Sequence, residues 1–353
     1  MNNPAQNPYI QDILSQPDSL AEMVAQFDPL PLQPLAQAIR RGDFDRIVLT
    51  GMGASLFAAY PIWLRLAEAG LPAIWADTAE LIHHTPGLVT PRTLLWLFSQ
   101  SGQSAEIVSA LGFDKRTRPA GLLATVNDLE SPLARSAAGF DGLSAQVPIH
   151  AVVEKTVSTR TYTHALAASQ LAASALLGKD VESVRADLLR SAASMRGYLV
   201  NWEEHVERLG EQIGFPKRMA ILGRGPSMAS VYTGTLILGE AAKYAAIPYQ
   251  AGEFRHGPLE LAGPDLSVLI FAGPPETRHL NLQLFNELRS YNTPAFWISP
   301  DANDWQVEMA DVPATGLPLA EILVIQLLTI HFAQQIGVEA GHFFRSGKVT
   351  LTE

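Results

Sequence analysis

The stretch Ser99-Gln100-Ser101-Gly102-Gln103-Ser104 packs three hydroxyls and a glycine into six residues, directly after the apolar run Leu94-Leu95-Trp96-Leu97-Phe98. Hydroxyls and successive main-chain N–H groups at a strand-to-helix turn make a nest for an oxyanion such as a phosphate. The same residues could equally serve as a polar helix cap. A second turn of this kind, Gly51-Met52-Gly53-Ala54-Ser55, has glycines that allow close backbone approach and a hydroxyl at Ser55. A dinucleotide reading of that turn fails. Gly51 and Gly53 follow a strand and Asp77 ends the next one, but the third glycine of the fingerprint falls on Leu56. NAD is therefore rejected and no cofactor is expected. His83 and His84 are adjacent and diverge on any regular element, while His279 and His342 lack partners at ligand spacing, so no metal site is predicted. Asp301 and Asp304 read as turn residues.

The elements that must carry these turns come twice. Asp45 to Ser55 is echoed by Lys217 to Ser227, with Ser227 following Ser55 by 172 residues. Leu94–Phe98 is matched by Ser267–Phe271, and Gly121–Asp128 loosely by Pro294–Asp301. Each apolar run is short and bounded by Gly, Pro, Asn or Ser, as strands buried on both faces of a parallel sheet are. Helix-length segments separate them: residues 55–70 with a Ser cap, disturbed by Pro61; 104–111; and 161–177. The expected class is α/β, as two tandem doubly wound parallel sheets of flavodoxin-like type. The expected division is an N-terminal helical segment over 1–44, a phosphate-binding domain over 45–180, one long connecting helix over 181–212, and a second domain over 213–353 with a catalytic tail.

Composition narrows the function classes. The 353 residues carry a formal net charge of −10, which argues against nucleic acid or an anionic membrane as partner. No apolar stretch is read as a membrane span, and the opening Met1–Gln6 lacks the basic start and apolar run of a secretory signal, so a cytoplasmic location is expected. With no cysteine, disulfides, thiolate metal sites and Cys nucleophiles are excluded.

The serine loop closely resembles the S-Q-S-G-[ED]-[ST] signature of SIS (sugar isomerase) domains, and the chain as a whole is similar to the isomerase half of glucosamine-6-phosphate synthase (glutamine–fructose-6-phosphate aminotransferase) and its stand-alone deaminase, isomerase and deglycase relatives. Ile10-Gln11-Asp12-Ile13-Leu14-Ser15-Gln16-Pro17 resembles the family's opening E-I-x-E-Q-P helix. Gly252-Glu253-Phe254-Arg255-His256-Gly257-Pro258-Leu259 resembles A-G-E-L-K-H-G-P-L, and Lys348 to Glu353 resembles the closing K-S-V-T-V-E. The resemblance implies that Ser55, Ser99, Gln100, Ser101 and Ser104 hold a sugar's phosphate and nearby hydroxyls, with further sugar contacts from Thr156 and Ser158. It also implies a homodimer with the active site at the subunit interface, because the family donates its histidine from the neighbouring subunit.

Moving a carbonyl between C1 and C2 of a sugar phosphate takes an acid–base group to open the ring, a carboxylate that reaches both carbons, and a cation or amine at the carbonyl. At the positions the family implies, those groups are His256, Glu240 and Lys348. Read on its own, Glu240 has apolar neighbours that would raise its pKa, yet it could instead pair with Lys243 or Arg224. His256 lies in a Gly- and Pro-flanked loop and could be structural. Lys348 is on a tail that could fold over the site or remain a solvated charge. Two positions depart from the family's A-L-K-L-K-E: Ile237 and Gly239 replace its lysines. The expected activity is a phosphosugar isomerase or aminosugar-phosphate deaminase on a hexose 6-phosphate such as glucosamine or fructose 6-phosphate. The alternatives are a fructosamine-phosphate deglycase and a non-catalytic sugar-phosphate-binding regulator. The synthase's glutaminase half uses a Cys nucleophile, so release of ammonia from glutamine by that route is not expected.

Overall fold

A computed structural model describes residues 6–113, 117–301, 306–345 and 347–352. Asp304 and Glu353 lie outside the described residues. The chain divides into two compact units. The first unit comprises residues 19–154 and 160–186 and the described tail from Arg345; the second takes the described residues up to Asp18, then 155–159 and 187–344.

The first unit holds a five-stranded parallel sheet: β1 (Arg46–Gly51), β2 (Ala73–Asp77), β3 (Thr93–Ser99), β4 (Gly121–Val126) and β5 (Leu143–Pro148), in the order β2-β1-β3-β4-β5. The second holds β6 (Met219–Gly223), β7 (Ile247–Gln250), β8 (Ser267–Phe271), β9 (Ala295–Ser299) and β10 (Gln306–Glu308), in the order β10-β9-β8-β6-β7. Counted within each unit, both orders are 2-1-3-4-5, the flavodoxin-like arrangement. The duplication seen in the sequence is thus a duplication of topology. Ligands of such sheets sit beyond the carboxyl ends of the first and third strands, where the winding reverses.

Burial explains which strands the sequence exposes to view. Every residue of β3, β4, β6, β8 and β9 is buried. Each sheet has its own apolar cluster, with Leu95, Leu97, Leu122 and Val126 in the first unit and Val268, Ile270, Leu284 and Trp297 in the second. The edge strands β2, β5, β7 and β10 are only partly buried and mixed in polarity, so they carry no continuous apolar run.

Three helical expectations need correction. The helix expected over 55–70 with a Ser cap is two helices, Gly53–Ala58 and Tyr60–Glu68; Met52 is the N-cap of the first, and Pro61 sits in the first turn of the second, where its missing N–H costs nothing. Ser55 therefore lies within the first turn and caps nothing. The single connecting helix is likewise two, Val181–Leu199 and Trp202–Ile213, broken at Val200 and Asn201. Among the described residues, one apolar segment, Ala314–Gln335, meets the length and composition of a membrane span, contrary to the expectation; 89% of it is buried inside the protein. It is a core helix, packed on the helices Met228–Ala242 and Trp202–Ile213 of its own unit.

Candidate functional site

In the first unit, the serine loop leaves β3 and enters the helix Ala105–Ala110, beside β1, whose Gly51 pairs in register with Phe98. Both candidate turns thus lie at the switch point. The loop is braced from within: the Gly102 N–H donates to Ser99 Oγ at 3.0 Å and the Gln103 N–H to Ser101 Oγ at 3.2 Å. Gly102 has φ +62°, and a Cβ there would meet Ser131 Oγ at 2.2 Å, so no other residue fits this corner. From outside, Gln103 Nε2 donates to Asp128 Oδ2 at 3.0 Å, and the Asn127 N–H to the Gln100 carbonyl at 3.1 Å. Gln103 stands where the family signature has an acid, and an amide suits a neighbour that is itself a carboxylate. Ser104 is the N-cap residue, but its hydroxyl makes no capping bond. The cap function that competed with anion binding for this loop is therefore not performed by that side chain.

The C-terminal tail belongs to this unit. The Ala105 N–H, first of the helix after the loop, donates to the carbonyl of Thr350 at 3.1 Å. Lys348 Nζ lies 3.0 Å from Glu154 Oε2, an ion pair whose carboxylate side chain is fully buried. The other bonds of Glu154 fix it at the start of the helix Arg160–Leu176: it accepts from Thr161 Oγ1 at 2.5 Å and from the Thr161 N–H at 3.3 Å. A carboxylate at a helix N-terminus is favoured by the helix dipole as well as by the ammonium. Sequence reading missed Glu154, because its cation is 194 residues away and no local pattern marks the pair.

Asp77, the residue that gave the dinucleotide pattern its acid, has a different task. It caps the helix Thr78–His83, accepting from the Ala79 and Glu80 N–H groups at 2.9 and 3.3 Å.

The remaining candidates lie in the second unit. Thr156 and Ser158 are on an irregular segment, where Thr156 Oγ1 donates to Asp12 Oδ2 at 3.3 Å. Glu240 is partly exposed in the last turn of the helix Met228–Ala242. Lys243 closes that helix in the left-handed conformation at φ +53°, and its ammonium donates to the carbonyls of Glu240 and, at 2.6 Å, His342. Those bonds make Lys243 a helix-ending residue that braces the chain at His342. His256 is exposed and ends the short turn Glu253–Arg255. Ile237, at a position where the family carries lysine, is fully buried, whereas Gly239 is exposed. The units thus group the predicted residues in two sets, with Ser55, the serine loop and Lys348 in the first and Thr156, Ser158, Glu240 and His256 in the second.

Sequence reading also missed Glu321, a wholly buried carboxylate on the helix Leu317–Gln335. Ser227 Oγ, on the turn after β6, donates to it at 2.6 Å. Burial drives the Glu321 pKa up to about 7, against the opposing effect of its hydroxyl partners. A lone carboxylate within the apolar run Leu317–Ile325 was the available signal.

Fold and loop together define a duplicated α/β protein with a serine-rich, hydroxyl-bearing loop at one of its two switch points. The chain belongs to the SIS domain family, which it matches over residues 43–175 and 215–332. Among proteins of similar sequence, the glutamine–fructose-6-phosphate aminotransferase (isomerizing) of Pyrococcus horikoshii is 26% identical over 296 residues, 82% of this chain and 49% of that protein. Its counterpart in Legionella pneumophila strain Lens is 28% identical over 296 residues, again 82% of this chain and 48% of that protein. The chain spans about half the length of these curated relatives. Among solved structures, the C-terminal domain of the Francisella tularensis glucosamine-fructose-6-phosphate aminotransferase superposes with TM-score 0.82 at 20% identity, covering 95% of this chain and 98% of that one. The Escherichia coli tagatose-6-phosphate ketose/aldose isomerase gives 0.80 at 22% identity, with 96% and 95% covered. The Thermotoga maritima glucosamine-6-phosphate deaminase gives 0.78 at 17%, with 97% and 99% covered. At such identities the structural likeness speaks to the fold.

Proposed function

We propose that the protein is an aldose–ketose isomerase or aminosugar-phosphate deaminase/isomerase acting on a hexose 6-phosphate, of the glucosamine 6-phosphate or fructose 6-phosphate type. The observation that carries this reading is the tail of the first unit. It puts the Thr350 carbonyl on the first N–H of the helix that the serine loop opens, two residues from the ammonium held on Glu154. An anion nest and an amine are thereby combined in one unit. The proteins of similar fold include a tagatose-6-phosphate ketose/aldose isomerase and a glucosamine-6-phosphate deaminase, which supports the reading.

In this reading Ser99, Ser101, Ser104, Gln100 and Ser55 hold the phosphate and nearby hydroxyls, with Thr156 and Ser158 adding sugar contacts. His256 transfers the proton that opens the hemiacetal ring. Glu240 removes the C2 proton of the open aldose and returns it to C1. Lys348 leaves Glu154 to stabilise the negative charge that develops at the carbonyl oxygen. With an amine on C2, the same proton transfer leaves a C2 imine, which water hydrolyses to the ketose and ammonia. The active unit is a homodimer with its site at the subunit interface, and the protein is cytoplasmic.

The test is ketose formation and ammonia release from glucosamine 6-phosphate, with fructose 6-phosphate and fructosamine 6-phosphate alongside and Glu240→Gln as control. Turnover abolished by the substitution is expected; wild type and variant equally inert on all three would overturn the reading. A second reading, a sugar-phosphate-binding regulator, draws support from Ile237, since a fully buried core position cannot present the family's lysine to a substrate. Saturable binding of these sugars without turnover would select it.

A further inference from the structure

The switch point of the second unit lies between the turn Gly223-Arg224-Gly225-Pro226-Ser227 after β6 and Ala272-Gly273-Pro274-Pro275 after β8. Two prolines there remove N–H donors from the loop, and Ser227 is turned inward onto Glu321. The means by which the first unit could hold an anion are gone, and guanidinium groups stand in their place. Arg224 Nε donates to Asn281 Oδ1 at 2.8 Å, a neutral partner, and among the described residues Arg224 makes no ion pair. Its side chain lies over the next turn: a Cβ on Gly252 would come within 2.9 Å of Arg224 Nη1. Arg255 closes that turn, its N–H donating to the Gly252 carbonyl at 3.2 Å. Arg255 Nη1 pairs with Glu287, but its Nη2 is buried with no hydrogen-bond partner among the described residues.

A third group on this side is also unmatched. Thr277 Oγ1 is buried without a partner among the described residues, and Thr277 precedes Asn281 by four residues on the helix Pro275–Ser290, hence on the same face. A buried donor left unpaired costs about 1–3 kcal/mol, and native structures resolve most such cases with water or an ion. Burial, and then the repulsion of Arg255, lower the Arg224 pKa, the response of a cation that lacks a counter-charge. Of these two guanidiniums, Arg255 is paired with Glu287 and Arg224 is held by an amide alone, in a chain of net charge −10. The planar fork of arginine fits a tetrahedral oxyanion with two parallel bonds.

We propose that the second switch point binds the phosphate group of a small molecule between Arg224, Arg255 and Thr277, at a site separate from the serine loop. This holds whether or not the first unit turns over a sugar. The phosphate is either the free ion or a phosphomonoester, and both are to be titrated.

The experiment is calorimetric titration of the full chain with inorganic phosphate and, separately, with glucose 6-phosphate. It compares wild type, Arg224→Gln, and a Ser101→Ala/Ser104→Ala double variant. At least one of the two ligands should show a saturable site that Arg224→Gln weakens about 10- to 100-fold, the loss expected for a charge-assisted bond, and that the double serine variant retains. Saturation by inorganic phosphate would identify the free ion, and saturation by glucose 6-phosphate alone a phosphomonoester. Wild-type binding of both ligands that is abolished by the serine variant and untouched by Arg224→Gln would overturn the proposal, as would no binding at all. Should Arg224→Gln fail to fold, mass-spectrometric mapping of phenylglyoxal modification on wild type decides the matter. Inorganic phosphate or glucose 6-phosphate is expected to protect Arg224 in the double serine variant as well as in wild type, and absence of protection by both contradicts the site.

Discussion

The two switch points begin from the same backbone and end in different side chains. Gly53 and Gly225 occupy equivalent places in the turns after β1 and β6, with φ +50° and +55°, and each is followed two residues later by a serine. In the first unit that serine is partly exposed; in the second, Ser227 is fully buried against Glu321. The loops after the third strands diverge further. One keeps three serines and a glycine corner that only Gly102 can turn, and the other has Pro274, Pro275 and a nearby arginine pair. A duplicated sheet thus preserves the place where ligands dock while the side chains decide what, if anything, is held there. Copying a fold conserves geometry more readily than chemistry.

This contrast can be broken or sharpened by substitution. The largest effect is expected from Lys348→Ala, which should lower turnover of the responsive hexose 6-phosphate by about 10²–10⁴-fold, the usual worth of a proton-transfer or charge-stabilising group; steady-state kinetics on protein shown by circular dichroism to be folded read it. Glu154→Gln should follow with a smaller loss in kcat, since it removes the charge that holds Lys348 beside the loop while leaving the amine in place. Restoration of activity by Glu154→Asp would show that positioning is the cause, and a Glu154→Gln enzyme as active as wild type would dissolve the pairing argument.

Next comes Gly102→Ala. With φ +62° and Ser131 Oγ 2.2 Å from the new Cβ, it should destabilise the protein by about 1–3 kcal/mol and weaken sugar-phosphate binding. Gly225→Ala has more room, its would-be Cβ meeting nothing closer than Pro274 Cγ at 3.9 Å, so any cost there is backbone strain alone. Chemical denaturation of both variants compares the two copies directly.

The last effect spares turnover and concerns Glu321. Its folded pKa of about 7 lies above that of an unfolded glutamate, so between the two values the native state binds more protons and its stability falls as pH rises. Glu321→Gln should remove that slope and leave the variant more stable than wild type at pH 8, by at most about 3 kcal/mol. A wild-type stability profile that is flat from pH 5 to 8 would mean that Glu321 is not raised.

The sequence made the fold legible where burial was two-sided. β3, β4, β8 and β9 read as strands because water touches neither face, and the repetition of β3 and β4 173 residues later, beside that of the Ser55 turn at 172, revealed the duplication. The edge strands were unread, because a strand exposed on one side, such as the four-residue β7, need not be apolar. The break at Val200–Asn201 was hidden by helix-forming residues on both sides. In the candidate site, hydroxyl content and position after a strand exposed the serine loop, and the family resemblance supplied Glu240, His256 and Lys348. Pairs formed across the chain left no trace: Glu154 with Lys348, Arg224 with Asn281, and Ser227 with Glu321 depend on tertiary neighbours that no local pattern encodes. Nor could the sequence show that residues 155–159 group with the second unit and the tail with the first.

The central claim is that the first switch point, and not its copy, holds a hexose 6-phosphate for reaction. A crystal structure with a hexitol 6-phosphate tests it most directly. The phosphate should lie in the Ser99–Ser104 loop, bonded to the hydroxyls of Ser101 and Ser104, with Lys348 released from Glu154 toward the C1–C2 end of the sugar. A hexitol found elsewhere, with the serine loop still closed on its own N–H groups, would contradict it.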